Sequence, residues 1–473
     1  MTDFYSLLPA LFLGLGGMIL LLGGVLAKGS NTTPAVTFGA VLLLIIAAVL
    51  SLLAPDALLF GGLLKTSLFT RYADTLVYLG AIAALILSLD YNKREQISRF
   101  EYPILVLFAV LGMTVMISAA DMMSLYIGFE LQSLALYICA ALARDSVRST
   151  EAGLKYFVLG ALASGLLLYG ISLVYGFAGT TNFAALAGIF QQGAGSGAIA
   201  GVVFVLVGLA FKISAAPFHM WAPDVYEGAP SSVTALFATA PKAAAMALLL
   251  SVMAGPFGHL TGQWEILIQI LAVLSMVIGG LAAIGQSNIK RLFAYSSIGH
   301  MGYALMGLVT GTVAGIQASL VYIAIYVVMS FGAFACVIAM RRNGQAVEQI
   351  GDLAGLAAEH PGFAFAFAVL MWSMAGIPPL AGFFAKLYVF YTAFNAGYET
   401  LAIIAIVTSV ISAFYYLRVI KVMYFDKGQP QFDKTSAGAG FVMAVSAFAV
   451  MFFVVIPGPL MTAAGAAAKA LMG

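Results

Sequence analysis

A chain of 473 residues, 63% hydrophobic and 8% charged, carries more apolar surface than a water-soluble fold can hide. Its net charge of +2 comes from basic residues scattered along the sequence, which excludes the concentrated positive footprint that nucleic-acid binding needs. Lipid is the expected solvent, and no stretch leaves room for a separate soluble domain.

Apolar runs of roughly twenty residues, the length that crosses a ~30 Å hydrocarbon layer, recur along nearly the whole chain. In order they cover 4–27, 36–55, 72–90, 102–120, 122–143, 152–176, 198–222, 229–254, 264–286, 289–309, 315–340, 362–395, 399–424 and 437–460. The first has no basic n-region and no small-residue cleavage site, so it is read as a span and not a signal peptide. In lipid, backbone polar groups must be bonded within a helix or a closed barrel, and these runs are about twice too long for barrel strands. The expected fold is an all-α polytopic membrane bundle of about 14 transmembrane helices.

Charge orients the bundle. Connections after odd-numbered spans hold Lys28, then Lys93, Arg94 and Arg99, then Arg144, Arg148 and Lys155. Later ones hold Lys290 and Arg291, Arg341 and Arg342, and Arg418, Lys421, Lys427 and Lys434. Connections after even-numbered spans hold only Lys65 and Arg71. The asymmetry predicts odd connections in the cytoplasm and both termini on the opposite, periplasmic face.

Proline interrupts the seventh span at 215–223, AAPFHMWAP, and the twelfth at 376–380, GIPPL. A ring without an N–H breaks an α-helix, and broken helices at membrane depth need a polar, protein-lined surrounding. A simple kink between packed helices is the alternative. The breaks lie five spans apart, so the two helices cross in opposite directions, as inverted five-helix repeats require. The expected division is an N-terminal three-helix segment (1–100), two repeats (101–255 and 262–425) and a C-terminal helix (436–473).

Four charges fall deep inside apolar spans: Glu130 in the fifth, Lys212 in the seventh, Lys242 in the eighth and Lys386 in the twelfth. Each costs ~2.5–3.5 kcal/mol near the bilayer centre even on a lenient scale, so each is expected to line a pathway. Glu130 is mid-span, where the distance to a cation sets its protonation, and Lys212, near the end of a half-helix, is its expected partner. Lys242 directly follows Pro241 and is placed to take a proton from Lys212; packing against a kink is the alternative. Lys386, two turns after Pro379, is the far terminus of the line. His300 in the tenth span is a possible bridge between Lys242 and Lys386, and is equally compatible with a hydrogen-bonded core histidine. His219, Trp221, Asp224 and Glu227 are read as shaping the seventh-span break, and Lys290 and Arg291 as residues snorkelling at a cytoplasmic helix start.

Cys139 and Cys336 lie inside spans without metal-ligand spacing and read as packing residues. No dinucleotide loop, Walker loop or facing histidine pair for haem occurs, so redox chemistry is expected elsewhere and a partner or a second ion gradient must drive transport.

Segment 211–230, FKISAAPFHMWAPDVYEGAP, resembles the signature of the antiporter-like subunits of respiratory complex I. Segments 288–297 (NIKRLFAYSS) and 376–386 (GIPPLAGFFAK) extend the likeness over nearly the whole chain. The resemblance implies that spans four to thirteen are the antiporter-like core and that Glu130, Lys212, Lys242 and Lys386 match the pumping residues. It implies that NADH, FMN, iron-sulfur clusters and quinone, ubiquinone or menaquinone, are handled by sister subunits. Expected partners are other membrane-arm subunits, especially the antiporter-like M type and the small K and J types, in a bacterial inner membrane. Lys386 in the twelfth span, no long lateral helix after the fourteenth, and no histidine from Tyr322 to Met340 set the chain apart from the L and M types. The last departure leaves His300, Tyr322, Tyr326 and water as candidates for the middle of the relay. The implied function is proton translocation driven by quinone reduction elsewhere in the complex. A Na+/H+ antiporter subunit of the same fold is the rival, and a scaffold held together by buried charges is the second.

Overall fold

The computed structural model describes residues 2–27 and 32–473, without the side chains of residues 2 and 3. Lys28, counted in the charge asymmetry, lies outside the described residues. Helices α1 (Thr2–Leu26) and α2 (Thr32–Leu53) are followed by a hairpin, β1 (Ala57–Leu59) and β2 (Leu64–Thr66), and then by α3 (Leu68–Arg94). The hairpin was not anticipated; Gly61 and Gly62 supply the positive φ of its tight turn. Ser67 and Thr70 start α3 with a reciprocal capping box. Next come α4 (Glu101–Ile117), α5 (Met122–Ala140), α6 (Val147–Ala178) and a short α7 (Phe183–Phe190).

Helices α8 (Ser196–Ile213) and α9 (Trp221–Gly228) flank the first proline-rich interruption, and α10 (Ser231–Phe237) and α11 (Ala240–Ala254) follow. The predicted eighth span is therefore also divided, at residues 238–239. Pro241, tolerated only in the first turn of a helix, sits in the opening turn of α11. Helices α12 (Thr261–Ile284), α13 (Ile289–Val309) and α14 (Val313–Ala339) are continuous. A second small hairpin, β3 (Arg341–Arg342) and β4 (Gln345–Ala346), leads through α15 (Leu356–Glu359) to α16 (Pro361–Ala375) and α17 (Ala381–Asn395), which flank the second interruption. The chain continues through α18 (Glu399–Phe425), α19 (Ala437–Phe452) and α20 (Gly458–Met472). The single C-terminal helix expected over 436–473 is thus two helices. Pro457 and Pro459 lie where the first ends and the second begins, and α20 folds back, its Met461 carbonyl accepting from Gln317 Nε2 at 2.9 Å.

The molecule is an all-α, multi-pass membrane protein, with eleven helical stretches among the described residues long and apolar enough to cross a bilayer. Burial divides them. The stretch Ser231–Ala254 and helices α13 and α14 are enclosed by other helices almost completely, whereas α1 and α2 turn most of their apolar surface outward. Small residues permit the tightest crossings. A Cβ on Gly112 of α4 would sit 2.8 Å from the Gly128 carbonyl of α5, and one on Gly279 of α12 would sit 2.5 Å from the Gly299 amide of α13. The opening helix pair of each predicted repeat is therefore joined by the same glycine-to-glycine contact.

Candidate functional site

The carbonyls that an interrupted helix leaves unpaired in its last turn need donors, and in lipid these must come from the protein. At the first interruption Ser214 adopts the left-handed conformation and ends α8. Lys242 reaches across from α11 and donates to the carbonyl of Ile213, the last residue of α8, at 2.8 Å and to Ser214 Oγ at 2.9 Å. Trp221 Nε1 donates to the Phe211 carbonyl at 3.1 Å, and its ring stacks on Tyr156 at 4.5 Å. The segment is thereby held by a lysine and an indole, the Lys242 ammonium lying 6.0 Å from the centre of the Trp221 ring. His219 is only half-buried and its Nδ1 has no partner among the described residues, so Trp221 shapes this break more than His219 does.

The second interruption repeats the device. Gly376, at φ +83°, ends α16, and Lys386 of α17 turns back to donate to the carbonyl of Ala375, the last residue of α16, at 3.0 Å. Lys386 also donates to Ser409 Oγ of α18 at 3.0 Å. A Cβ at position 376 would lie 2.8 Å from Lys386 Cδ, so glycine serves both the backbone turn and the approach of the lysine. The counterpart of Lys386 is thus Lys242 and not Lys212: each ammonium caps the final carbonyl of a half-helix.

Lys212 has a different environment. It is buried, donates to Ser133 Oγ at 2.7 Å and lies 4.8 Å from the Phe129 ring. The expected direct pair with Glu130 does not form. Glu130 accepts a hydrogen bond from Ser164 Oγ, which also bonds the Tyr126 hydroxyl at 3.2 Å. On an α-helix residues 130 and 133 are neighbours on one face, so a serine three residues on can take the lysine while Glu130 points to α6. Glu130 is also only half-buried, on the outer side of α5.

Between the two breaks lies a polar centre in an otherwise apolar core. His300 is 2% exposed; its Nδ1 is 2.7 Å from the Tyr322 hydroxyl and its Nε2 3.1 Å from the Tyr416 hydroxyl. Tyr416 continues to Ser296 Oγ at 2.5 Å, and Tyr326 donates to Ser297 Oγ at 2.7 Å. Tyr303 lies between His300 and Lys386, with the Lys386 ammonium 5.1 Å from its ring centre. Towards Lys242 the buried Tyr226 hydroxyl, without a hydrogen-bond partner among the described residues, approaches Ser297 and Tyr326. Sequence reasoning reached His300, Tyr322 and Tyr326 but missed Tyr226, Tyr303, Tyr416 and the serines at 133, 164, 214, 296, 297 and 409. Such residues cost little in a span and carry no charge signal; only their convergence marks them.

At the other end of α13 the charges pair in a cluster. Arg291 binds Asp224 at 2.7 Å and Glu227 at 3.1 Å; Arg148 also binds Glu227, and Lys155 binds Asp224. Lys290, expected to snorkel, is instead buried at 2% exposure. It donates to the Ala229 carbonyl at 2.7 Å and to Glu348 at 2.9 Å, because α9 and the 340–360 connection close over it. Burial alone would raise the Glu348 carboxyl, but the Lys290 charge and hydrogen bonds from Lys290 and Asn288 outweigh it and hold the group below its ordinary range. A carboxyl depressed in the folded state stabilises at pH values above its unfolded pKa, and that contribution is lost as pH falls through the folded one. The connection should therefore loosen from α13 on acidification. Hydrogen exchange at the Ile289 and Ile350 amides, bonded to Glu348 and Ser287 carbonyls, should rise as pH falls through the glutamate range. In Glu348→Gln it should be faster at neutral pH and lose this acid dependence.

Residues 119–412 match the family described as NADH:quinone oxidoreductase/Mrp antiporter, TM. The chain is 62% identical to NADH-quinone oxidoreductase subunit N 1 of Acidiphilium cryptum, over 100% of this chain and 99% of that protein. It is 53% identical to NADH-quinone oxidoreductase subunit N of Paramagnetospirillum magneticum, over 99% and 98%. Among solved structures, a chain of respiratory complex I from Thermus thermophilus with bound aureothin superposes with a TM-score of 0.83 at 33% identity, covering 96% of this chain and 98% of that one. A chain of the Mrp complex from a Dietzia species shares the fold, with a TM-score of 0.86 at 21% identity over 98% of this chain and 100% of that one.

Proposed function

Since the chain belongs to the subunit N family of NADH-quinone oxidoreductase, the antiporter-like membrane subunits of respiratory complex I, we propose that it moves protons along Glu130, Lys212, Lys242, His300 and Lys386. The observation that carries this reading is the pair of ammonium caps, Lys242 on Ile213 and Lys386 on Ala375, with the His300, Tyr322 and Tyr416 hydrogen bonds between them. A lysine that releases its proton weakens its hold on a helix end, so protonation and the shape of each interruption are coupled. Quinone chemistry in sister subunits supplies the drive. It acts by changing the separation of Glu130 and Lys212, which Ser133 and Ser164 hold apart in this arrangement. The matching glycine contacts and the two interruptions support a pair of inverted repeats, 101–255 and 262–425, behind an N-terminal segment. Positive charge at the ends of odd-numbered spans supports an orientation with those ends in the cytoplasm and both termini in the periplasm. Each proton moved outward works against ~2.3 kcal/mol per 100 mV. NADH, FMN, iron-sulfur clusters and quinone belong to the partner subunits of this reading, and the half-exposed Glu130 suits an edge that meets a neighbouring membrane-arm subunit.

In the assembled complex reconstituted in liposomes, Glu130→Gln should lower the number of protons moved per electron pair while leaving the amount of assembled complex near wild type, because Ser164 can still donate to the amide oxygen. A proton-to-electron ratio equal to wild type in this variant would remove Glu130 from the relay. Insensitivity of pumping to sodium separates the reading from a Na+/H+ antiporter.

A further inference from the structure

Asp74 is a buried charge that the main line does not use. It lies on α3, under two turns from the helix start, and is 7% exposed. Its Oδ2 accepts only a long contact from Ser51 Oγ of α2, 3.5 Å, and its Oδ1 has no hydrogen-bond partner among the described residues. One turn further on, the fully buried Tyr78 hydroxyl also has none. Both groups line a partly open cavity of about 40 Å³ between α1, α2, α3, α4 and the β1–β2 hairpin, to which Thr114 and Ser118 add hydroxyls. Since a water needs ~10–15 Å³ of such volume, two or three small polar occupants fit.

The other charged side chain lining the cavity, Arg71, is held by Asp56 outside it. Tyr78 is the other titratable group there; α1, α2, α4 and the β1–β2 hairpin contribute hydroxyls and apolar groups to the lining, among the described residues. A buried carboxyl without a cationic side chain must either keep a proton or hold a cation. One anionic oxygen ligand among neutral hydroxyl oxygens suits a hard cation of single charge, since divalent ions take more carboxylates.

We propose that Asp74, Ser51 and Tyr78 form a binding site for one monovalent cation, either a proton carried on the Asp74 carboxyl or a sodium ion, in the N-terminal three-helix segment, separate from the line that runs through Lys242 and Lys386. Asp74 either takes the proton itself or, as carboxylate, is the charged ligand of sodium, and the Tyr78 and Ser51 hydroxyls face the occupant. No pumping through the main line is needed for this site to fill, so its test is independent of the relay.

Infrared difference spectra of the intact, lipid-reconstituted complex test it, recorded between sodium-free and sodium-containing buffer at fixed pH and then across pH steps without sodium. A carboxylic-acid band that is missing in Asp74→Asn, shifts in Tyr78→Phe and ignores sodium identifies a proton as occupant. Conversion of that band to a carboxylate band on adding sodium identifies sodium. Tyr78→Phe removes a hydroxyl without a hydrogen-bond partner among the described residues, so it keeps the test alive if Asp74→Asn fails to assemble. The proposal is overturned if no band in either series depends on Asp74, or if an Asp74 band is unaffected by Tyr78→Phe.

Discussion

Lys386→Met in the assembled complex is expected to cause the largest loss of proton translocation of any single change in this chain. The substitution keeps the apolar stem and removes the ammonium, leaving the buried Ala375 carbonyl without its donor at the second interruption, while the Ser409 hydroxyl, which also loses it, is only part-buried and lines a cavity. An unpaired buried acceptor costs ~1–3 kcal/mol, small enough for the bundle to assemble. Lys386→Arg separates charge from proton transfer. Guanidinium can cap the same carbonyl but does not release its proton, and the cavity of about 420 Å³ beside Lys386, lined by Phe383, Phe390 and Ser409, has room for it. Both variants should therefore reduce quinone at a measurable rate with fewer protons per electron pair, read by pH-indicator dye in proteoliposomes. If the arginine variant pumps like wild type, Lys386 is a structural cap and not a proton carrier.

The second large effect is expected at Lys242, and it should look different. Lys242 is 1% exposed, and its ammonium is the donor to both Ile213 O and Ser214 Oγ. Lys242→Met strips two buried acceptors at once, a cost of ~2–6 kcal/mol if each is charged at ~1–3 kcal/mol. Lys242→Arg meets close packing from Trp221 and the α8 end, and overfilling a packed core typically costs ~1–3 kcal/mol. Assembly, measured as the yield of intact complex and its thermal midpoint, should fall in both variants, in contrast to position 386. Whatever complex survives in Lys242→Met should show a reduced proton-to-electron ratio. Normal pumping by that surviving complex would cut the relay between Lys212 and His300 and leave the buried charges with a scaffolding role.

The contrast between the two lysines follows from where each sits relative to its break. Lys386 lies on the second half of its own interrupted helix and faces a cavity, whereas Lys242 comes from the next span and lies in the most enclosed part of the bundle. The two interruptions are capped alike but serviced from different sides. Charge-removing variants should therefore not behave as equivalents, even at two interruptions capped in the same way.

Composition and run length were enough to determine an all-helical membrane bundle, because a hydrophobic run near twenty residues has one stable solution in lipid. Pro217, Pro378 and Pro379 likewise determined where helices stop, since a missing N–H acts locally. Single charges in apolar spans pointed to Glu130, Lys212, Lys242 and Lys386, because a charge in hydrocarbon is expensive wherever it faces. The same argument overlooked Asp74, near a span's edge, and misread Lys290, whose burial depends on a connection folding over it from about sixty residues away. What the ammonium groups touch was decided only by tertiary structure: Lys242 on Ile213, Lys386 on Ala375, Ser133 taking the place expected of Glu130. The hydroxyls of Tyr322, Tyr416 and Ser296 around His300 belong to the same class. A tyrosine or serine in a span is cheap enough to leave no mark on the sequence pattern, so its role exists only once packing brings its hydroxyl to a neighbour.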